Sequence, residues 1–460
     1  MFVGIDAGTS LVKAAAFGET GEVLAVESAR TRLDLREDRA EQDAEEIFAA
    51  VRDVSGTVRA DRAELIAITG QGDGLWLLDA QGRPVRPAIS WLDARAAGQV
   101  ARWTASGVLE QVFRRTGNAL FPGCPGPLLA WLDRHEPEHL DAAATAAYCK
   151  DMVFQRYTGI RATDVSDASV PFLDPYGRGY DAAALEACGL SHRAGLLAPI
   201  ADPHPVGVTR DGTPVASGPF DVPACAIGAG VTEPGDGLLI IGTTLACLAV
   251  TDRVDRTGEP SGFHFSTADP GRWLRGMPAM TGTAGLDWVL ATVGAVHEDL
   301  TGLLAAAPPG AHGVEVLPHL SGERAPFIEP AARGELTGIT LRTTPADLVR
   351  ATCEAIAFAA RHCLEAAGLT GELTVAGGGA RSGPWLQIFA DVLSRPLRLA
   401  PAETGARGAV LIAVKDLDVA EWTRPEGIRD PDPATAVFYD EKYAGYLTRV
   451  SDARRRWSRP

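Results

Sequence analysis

The stretch "MFVGIDAGTSLVKAAAFGETGEVL" at the start of the chain restricts the fold more than any other. Its apolar runs at 2–5 and 11–17 read as two strands joined by a bend of Gly8, Thr9 and Ser10, with "EVLAVES" as a third strand after the "GETG" turn. That is an antiparallel meander. The same grammar returns at 237–254, where "GLLIIGTTLACLAVTDRV" gives an apolar strand, a Gly242-Thr243-Thr244 bend and another apolar strand. The echo suggests two related halves, each opening on a strand–bend–strand hairpin. Asp6 stands just before the first bend. A turn hydrogen bond explains a carboxylate there, and so does a place beside a divalent cation, with water between.

A chain of 460 residues has room for two or three domains. With 46% hydrophobic and 22% charged residues it is expected to fold rather than stay disordered. A net charge of −16 argues against nucleic acid or an anionic membrane as the main partner. It leaves ATP open, because backbone dipoles and a metal ion bind a polyphosphate locally. Seven scattered cysteines without a C-x-x-C pair suggest neither a disulfide framework nor a zinc site, so reduced thiols in a cytoplasmic protein are expected. No signal peptide precedes the first strand, and no apolar run is long enough to span a bilayer. The nine histidines show no metal-ligand spacing.

"DAEEIFAAVRDVSGTV" has helical spacing, with Ile47, Phe48 and Val51 on one side. "LIAITG" is a short buried strand that runs into the glycine-flanked "GQGDG". A long helix is predicted over 343–368, with Thr344 as cap, Pro345 in the first turn and Gly368 at the end. "ELTVAGGGARSGPWLQIFADVLSRPL" then reads as strand, glycine loop and amphipathic helix through Trp385, Ile388, Phe389 and Val392. Such a unit suits a nucleotide, because glycines admit a ligand to the backbone and the helix start offers N–H groups. A tight turn explains Gly377, Gly378 and Gly379 equally well. One further segment, "GPFDVPACAIGAG" at 218–230, sets Asp221 among small and apolar residues.

These motifs, taken in order, resemble the FGGY family of carbohydrate kinases. "GIDAGTSLVK" resembles its first phosphate motif and "LLIIGTTLACLAV" its second. "TGNALFPG", "KDMVFQRYTG" with Lys150-Asp151, and "TDVSDAS" resemble the middle of the first domain. "LSGERAPF", "RGELTGITLRTTPADLVRATCEAI" and "VAGGGARSGPWLQIFADVL" resemble the second-domain signature and the adenosine motif. The resemblance implies an actin-like α/β fold of two ribonuclease-H-like domains closing over a central cleft. A sugar-binding domain is expected over 1–227 and an ATP-binding domain over 228–460.

It further implies ATP-dependent phosphorylation of a small sugar or polyol. Gly8, Thr9, Ser10, Lys13, Gly242, Thr243 and Thr244 would meet the phosphates, and Gly377, Gly378, Gly379 and Ala380 the adenosine. Asp6 would stand on the side of Mg²⁺, and Asp221 would be the catalytic base and touch the substrate. The substrate loops would be Gln71-Gly72-Asp73-Gly74 and Trp91-Leu92-Asp93-Ala94-Arg95. Xylulokinases usually read Gly-Gln-Met-His-Gly in the first loop, and this chain resembles the branch of erythritol and L-xylulose kinases more. The expected acceptor is therefore a polyol or a pentulose. The resemblance also suggests a homodimer. An actin-like ATPase and a non-catalytic sugar-binding regulator are the rival readings on the same fold.

Four departures from the family pattern stand out. Leu245 takes the last place of the second bend, where a glycine is usual, and Cys353 replaces a larger apolar residue. "PLLAW" at 127–131 lacks the lysine of the corresponding family element. The chain is also short for the family.

Overall fold

The computed structural model describes residues 1–457. In chain order, its site-bearing elements begin with β1 (Phe2–Ala7), β2 (Leu11–Phe17), β3 (Val23–Arg30), α1 (Ala44–Thr57) and β4 (Leu65–Gly70). Next come α2 (Cys149–Thr158), α3 (Val165–Ala168), β5 (Val206–Val208), β6 (Pro214–Ser217) and α4 (Asp221–Gly228). They continue with β7 (Gly237–Ile241), β8 (Leu245–Thr251), β9 (Trp273–Ala279), α5 (Thr283–Val293) and α6 (Pro345–Ala367). The last are β10 (Leu373–Ala376), α7 (Gly383–Leu393), β11 (Leu397–Leu399), α8 (Thr404–Ala413), β12 (Gly427–Arg429) and α9 (Pro433–Trp457).

The chain divides into two units. The first comprises Met1–Thr232, Asp252–Leu274 and Pro401–Arg424, and the second Glu233–Thr251, Arg275–Ala400 and Pro425–Pro460. The first break falls near the cut expected at 227/228, and two later segments pack with the first unit.

In the first unit the sheet order is β5-β6-β4-β1-β2-β3. β1 pairs antiparallel with β2 and parallel with β4, which pairs parallel with β6. In the second unit the strands run β9-β8-β7-β10-β11-β12, with β7 antiparallel to β8 and parallel to β10. Both sheets therefore open on the hairpin that the sequence repeats, then add parallel strands beside its first strand. Central strands covered on both faces read as continuous apolar runs. Val3, Ile5, Leu238, Leu239 and Ile241 are accordingly buried.

Helix ends follow local chemistry. Asp43 accepts from the Glu45 and Glu46 N–H groups at the start of α1. Thr344 and Asp347 form a reciprocal capping box on α6, and Gly368 ends it at φ 93°.

α8 lies against β1 and α4 with very little room. A β-carbon at Gly4 would stand 2.3 Å from the Ala406 carbonyl oxygen, and one at Gly408 would stand 1.8 Å from that of Ala224. Buried Arg407 fixes the same helix, donating to the Gly21 and Trp422 carbonyls with its guanidinium over the Phe17 ring.

We expect Gly408→Ala to force α8 off α4. Overpacking of this kind costs about 1–3 kcal/mol, against a gain of about 1 kcal/mol in helix propensity. A fall in the urea midpoint of the first unit's transition checks this, and an unchanged midpoint contradicts it.

Candidate active site

In the first unit the site starts where β1 and β4 end side by side. Their register sets Asp6 beside Thr69 and Ala7 beside Gly70, so the 8–10 bend and the 71–74 loop leave the sheet from one edge. One oxygen of Asp6, Oδ1, is buried with no hydrogen-bond partner. Burial pushes its pKa up to about 6, while Lys13 pulls it down and Glu403 pushes it up. Lys13 sits opposite Asp6 on β2 and is bound at 3.2 Å to Glu403. An orphaned, partly desolvated carboxylate oxygen fits a hydrated divalent cation, a hard ion that takes oxygen ligands.

Asp221 is the first residue of α4, with Phe220 as N-cap. Its segment is held from both sides: Gly218 donates to the Ile68 carbonyl, Thr69 to the Pro219 carbonyl and the Phe220 N–H to Ser166 Oγ. Burial pushes the Asp221 pKa up to about 8, with the negative charges of Asp6 and Asp73 adding to it and the N–H groups of Val222 and Gly72 opposing it. Gly72 is required here, because a β-carbon would stand 2.5 Å from the Phe220 ring. Asp73 and Gly74 both take left-handed backbone, at φ 55° and 69°. Only glycine fits at 74, where a β-carbon would meet the Ile89 carbonyl at 2.5 Å. An aromatic run extends from Phe220 through Phe265 and Phe263 to Phe121.

Several residues expected at ligand contacts are occupied otherwise. Asp93 accepts from the Ala40 N–H and from Arg95, whose guanidinium also reaches Glu41, so it braces the Trp91–Arg95 loop. Gln71 is buried, accepting from the Thr9 hydroxyl and donating to Gln42. The Gly8 N–H donates to the Leu11 carbonyl and that of Gly242 to the Thr244 carbonyl, so both close their own bends. Ser10 is exposed, and Trp91 and Asp73 are partly exposed.

The second unit carries the other motifs. The 242–244 bend rests on the start of α5, with Gly282 and Thr283 N–H groups donating to the Thr243 and Gly242 carbonyls. Because β7 and β10 are parallel, this bend and the glycine loop after β10 leave from one edge of that sheet. Gly377 and Gly379 lie hard against Ile241, whereas Gly378 has open space around it and Ala380 follows in a short 3-10 turn. Leu245 is fully buried in the core of this unit and begins β8, which accounts for its departure from glycine. Cys353 is likewise buried in that core.

Residues 1–228 match the N-terminal domain, and 237–417 the C-terminal domain, of the FGGY family of carbohydrate kinases. The chain belongs to this family. Over 97% of its length it is 33% identical to the erythritol kinase of Brucella abortus (strain 2308), covering 95% of that protein. Over 99% it is 31% identical to the xylulose kinase of Escherichia coli (strain K12), covering 98% of that protein. Among solved structures it resembles xylulose kinase from Rhodospirillum rubrum, with a TM-score of 0.89 at 29% identity and 99% of each chain covered. The fold is the actin-like fold of FGGY kinases, and the protein is a sugar or polyol kinase of that family. The family implies ATP as phosphoryl donor.

Sequence reasoning on this FGGY kinase passed over "ETG" at 403–405 and Gln42. Glu403 enters α8 in left-handed backbone at φ 56°, and a β-carbon at Gly405 would stand 2.8 Å from Asp6 Oδ2. Thr404 bonds Cys225 on α4 at 3.0 Å. The signal was there: an acidic residue before a run of small helical residues. Nothing local connects it to Asp6, however. Lys150 was matched to the family without a role. Its ammonium lies fully buried between Asp151, Asp164 and Asp167 at 2.9, 2.9 and 3.1 Å. Burial above all raises the Asp151 and Asp167 carboxyls beyond the usual range. Asp164 also caps α3, which carries Ser166 to the Phe220 N–H, so this cluster braces the Asp221 segment from behind.

We expect Lys150→Met to leave three carboxylates without their cation. Breaking a buried ion pair from one side costs about 3–5 kcal/mol. Urea unfolding followed by circular dichroism measures it, and a loss under about 1 kcal/mol contradicts this account.

Proposed function

We propose that this kinase transfers the γ-phosphoryl group of ATP to a hydroxyl of a small polyol, or of a pentulose, with Asp221 as the base. The observation that carries the proposal is the setting of Asp221: a carboxyl raised to about 8, beside the charges of Asp6 and Asp73. Perturbed carboxyls of this kind mark functional sites. A hydroxyl is a poor nucleophile at neutral pH, and a carboxylate within reach takes its proton as the new O–P bond forms. The bond between the γ-phosphorus and the bridging oxygen breaks, and ADP leaves with that electron pair.

The N–H groups that follow the two bend glycines, at Thr9, Ser10 and Thr243, are assigned to the phosphates, and Gly378 with Ala380 to the adenosine. Lys13, whose ammonium is held by Glu403 at 3.2 Å, is assigned to the phosphates as well. Asp6 would hold Mg²⁺, which when bound neutralises charge on the phosphoryl group. Water competes with the acceptor unless closure excludes it.

The acceptor reading rests on the charge of the pocket. Deprotonated, as the base must be to act, Asp221 only accepts hydrogen bonds, and so does an ionised Asp73. They suit a ligand that offers several hydroxyl donors, and they repel a carboxylate such as gluconate. The Phe220 ring packs hard against Gly72 and starts the aromatic run beside this loop, which gives this side of the site an apolar wall. The names of the relatives, erythritol kinase and xylulose kinase, agree with this chemistry.

The test is ADP formation with MgATP across tetritols, pentitols, ketopentoses, glycerol and gluconate. We expect a tetritol or pentitol to stimulate turnover most, gluconate not at all, and Asp221→Asn to lower kcat by at least about 100-fold. Equal ADP formation without any acceptor points to an ATPase, and acceptor binding without turnover to a regulator.

The pH profile follows from the same carboxyl. Below its pKa Asp221 is protonated and cannot accept, so kcat/KM at limiting MgATP should rise with pH along a limb near 8. Asp6→Asn removes a charge that raises this pKa and should move the limb to lower pH. A limb that stays in place contradicts the coupling.

A further inference from the structure

The hydroxyl of Thr9 stands in the first phosphate bend, yet its bonds lead elsewhere. It donates to Gln71 Oε1 at 3.0 Å. Gln71 Nε2 donates to Gln42 Oε1 at 2.8 Å, and Gln42 Nε2 donates to the Thr9 carbonyl at 2.8 Å. These three residues close a ring. Trp91 Nε1 donates to the Thr9 hydroxyl from outside it at 3.0 Å, and the Thr31 hydroxyl adds a second bond to the Thr9 carbonyl at 2.7 Å. Gln42 and Gln71 are 2% and 1% exposed, so little water competes for these bonds.

A threonine hydroxyl has one proton and two lone pairs. Here the proton belongs to Gln71 and one lone pair to Trp91. What remains is an acceptor, and a phosphate oxygen is an acceptor too. While the ring is closed, the hydroxyl has nothing to give a phosphate. Its partners instead come from both acceptor-side loops, Gln71 from one and Trp91 from the other.

We propose that the Thr9 hydroxyl is the joint that ties the wall of the acceptor site to the phosphate bend. Thr9, Trp91 and Gln42 are then positioning residues that couple acceptor binding to phosphoryl transfer. An acceptor seated against Trp91 and the 71–74 loop fixes the bend through this joint, and a site without its acceptor holds the bend less firmly. The joint thereby favours transfer to the acceptor over transfer to water. This inference rests on the kinase reading given above.

Three variants test it. Thr9→Val removes the hydroxyl at nearly constant shape, Trp91→Phe removes the indole donor together with part of the ring, and Thr9→Ser keeps the hydroxyl. We expect Thr9→Val to raise the acceptor KM and the ratio of acceptor-free ADP release to transfer, each about tenfold. Trp91→Phe should act in the same direction. The double variant Thr9→Val with Trp91→Phe should be no worse than Thr9→Val alone, because both break one joint. Thr9→Ser should stay within about twofold of wild type in that ratio. Effects that multiply in the double variant, or a serine variant as uncoupled as valine, would overturn the proposal.

Amide hydrogen exchange separates this failure from failure of the kinase reading, since it needs no substrate. In Thr9→Val, exchange should quicken together in the peptides that cover 8–11 and 89–94. If wild type shows no acceptor-stimulated turnover, the kinase reading falls. The joint still stands or falls on whether those two peptides loosen together.

Discussion

The parallel pairing of β1 with β4 sets the geometry on which the first unit depends. Two strands in register end at the same level, so whatever follows them emerges together. After β1 comes the 8–10 bend, and after β4 comes the 71–74 loop. Neither segment has regular structure of its own. Each is fixed by the other, through a ring of bonds that includes Gln42 just before α1. β6 adds the third parallel strand, and Asp221 follows it at the start of α4. The edge of one sheet thus collects Asp6, Asp73 and Asp221 from places far apart in sequence.

Collecting carboxylates opposes folding. Asp6 and Asp221 are both raised in pKa, chiefly by burial, and an orphaned oxygen on Asp6 adds to the expense. Active sites commonly hold such groups at the expense of stability. The first unit offsets it with close packing and with ion pairs around the site. Arg95 and Asp93 lock one loop, Lys150 neutralises part of an acidic cluster behind another, and Arg407 ties α8 to the hairpin. These paired polar residues hold in place the ones proposed to face a ligand.

The repeated hairpin was legible because its signals are local: apolar runs of strand length, a glycine and hydroxyl bend, then another apolar run. α6 was legible for the same reason, since Thr344, Asp347, Pro345 and Gly368 all act within one turn of its ends. The order of the motifs singles out Asp221 as the proposed base; its own neighbours in sequence do not. The roles of Gln71 and Asp93 were hidden, because their partners Gln42 and Ala40 lie well away in sequence and polar residues beside a glycine loop read as ligand contacts. Glu403 was the hardest, since its partner Lys13 is 390 residues earlier. The division into units was hidden likewise: nothing in the composition of 401–424 says which sheet it packs on.

That last segment bears on how the protein is made. α8 covers β1 and α4 and supplies Ala406, Ala409 and Val410 to a core that Phe2, Ala15 and Phe17 begin. A ribosome releases the N-terminal strands first, and domains tend to fold as units in that order. Here the first unit lacks a wall until some four hundred residues have been threaded out. Its opening hairpin waits for that wall, and the second unit waits later still, for the helix α9 that adds Tyr439, Tyr443 and Tyr446 to its core. Both units therefore close only as the C-terminal part of the chain is made.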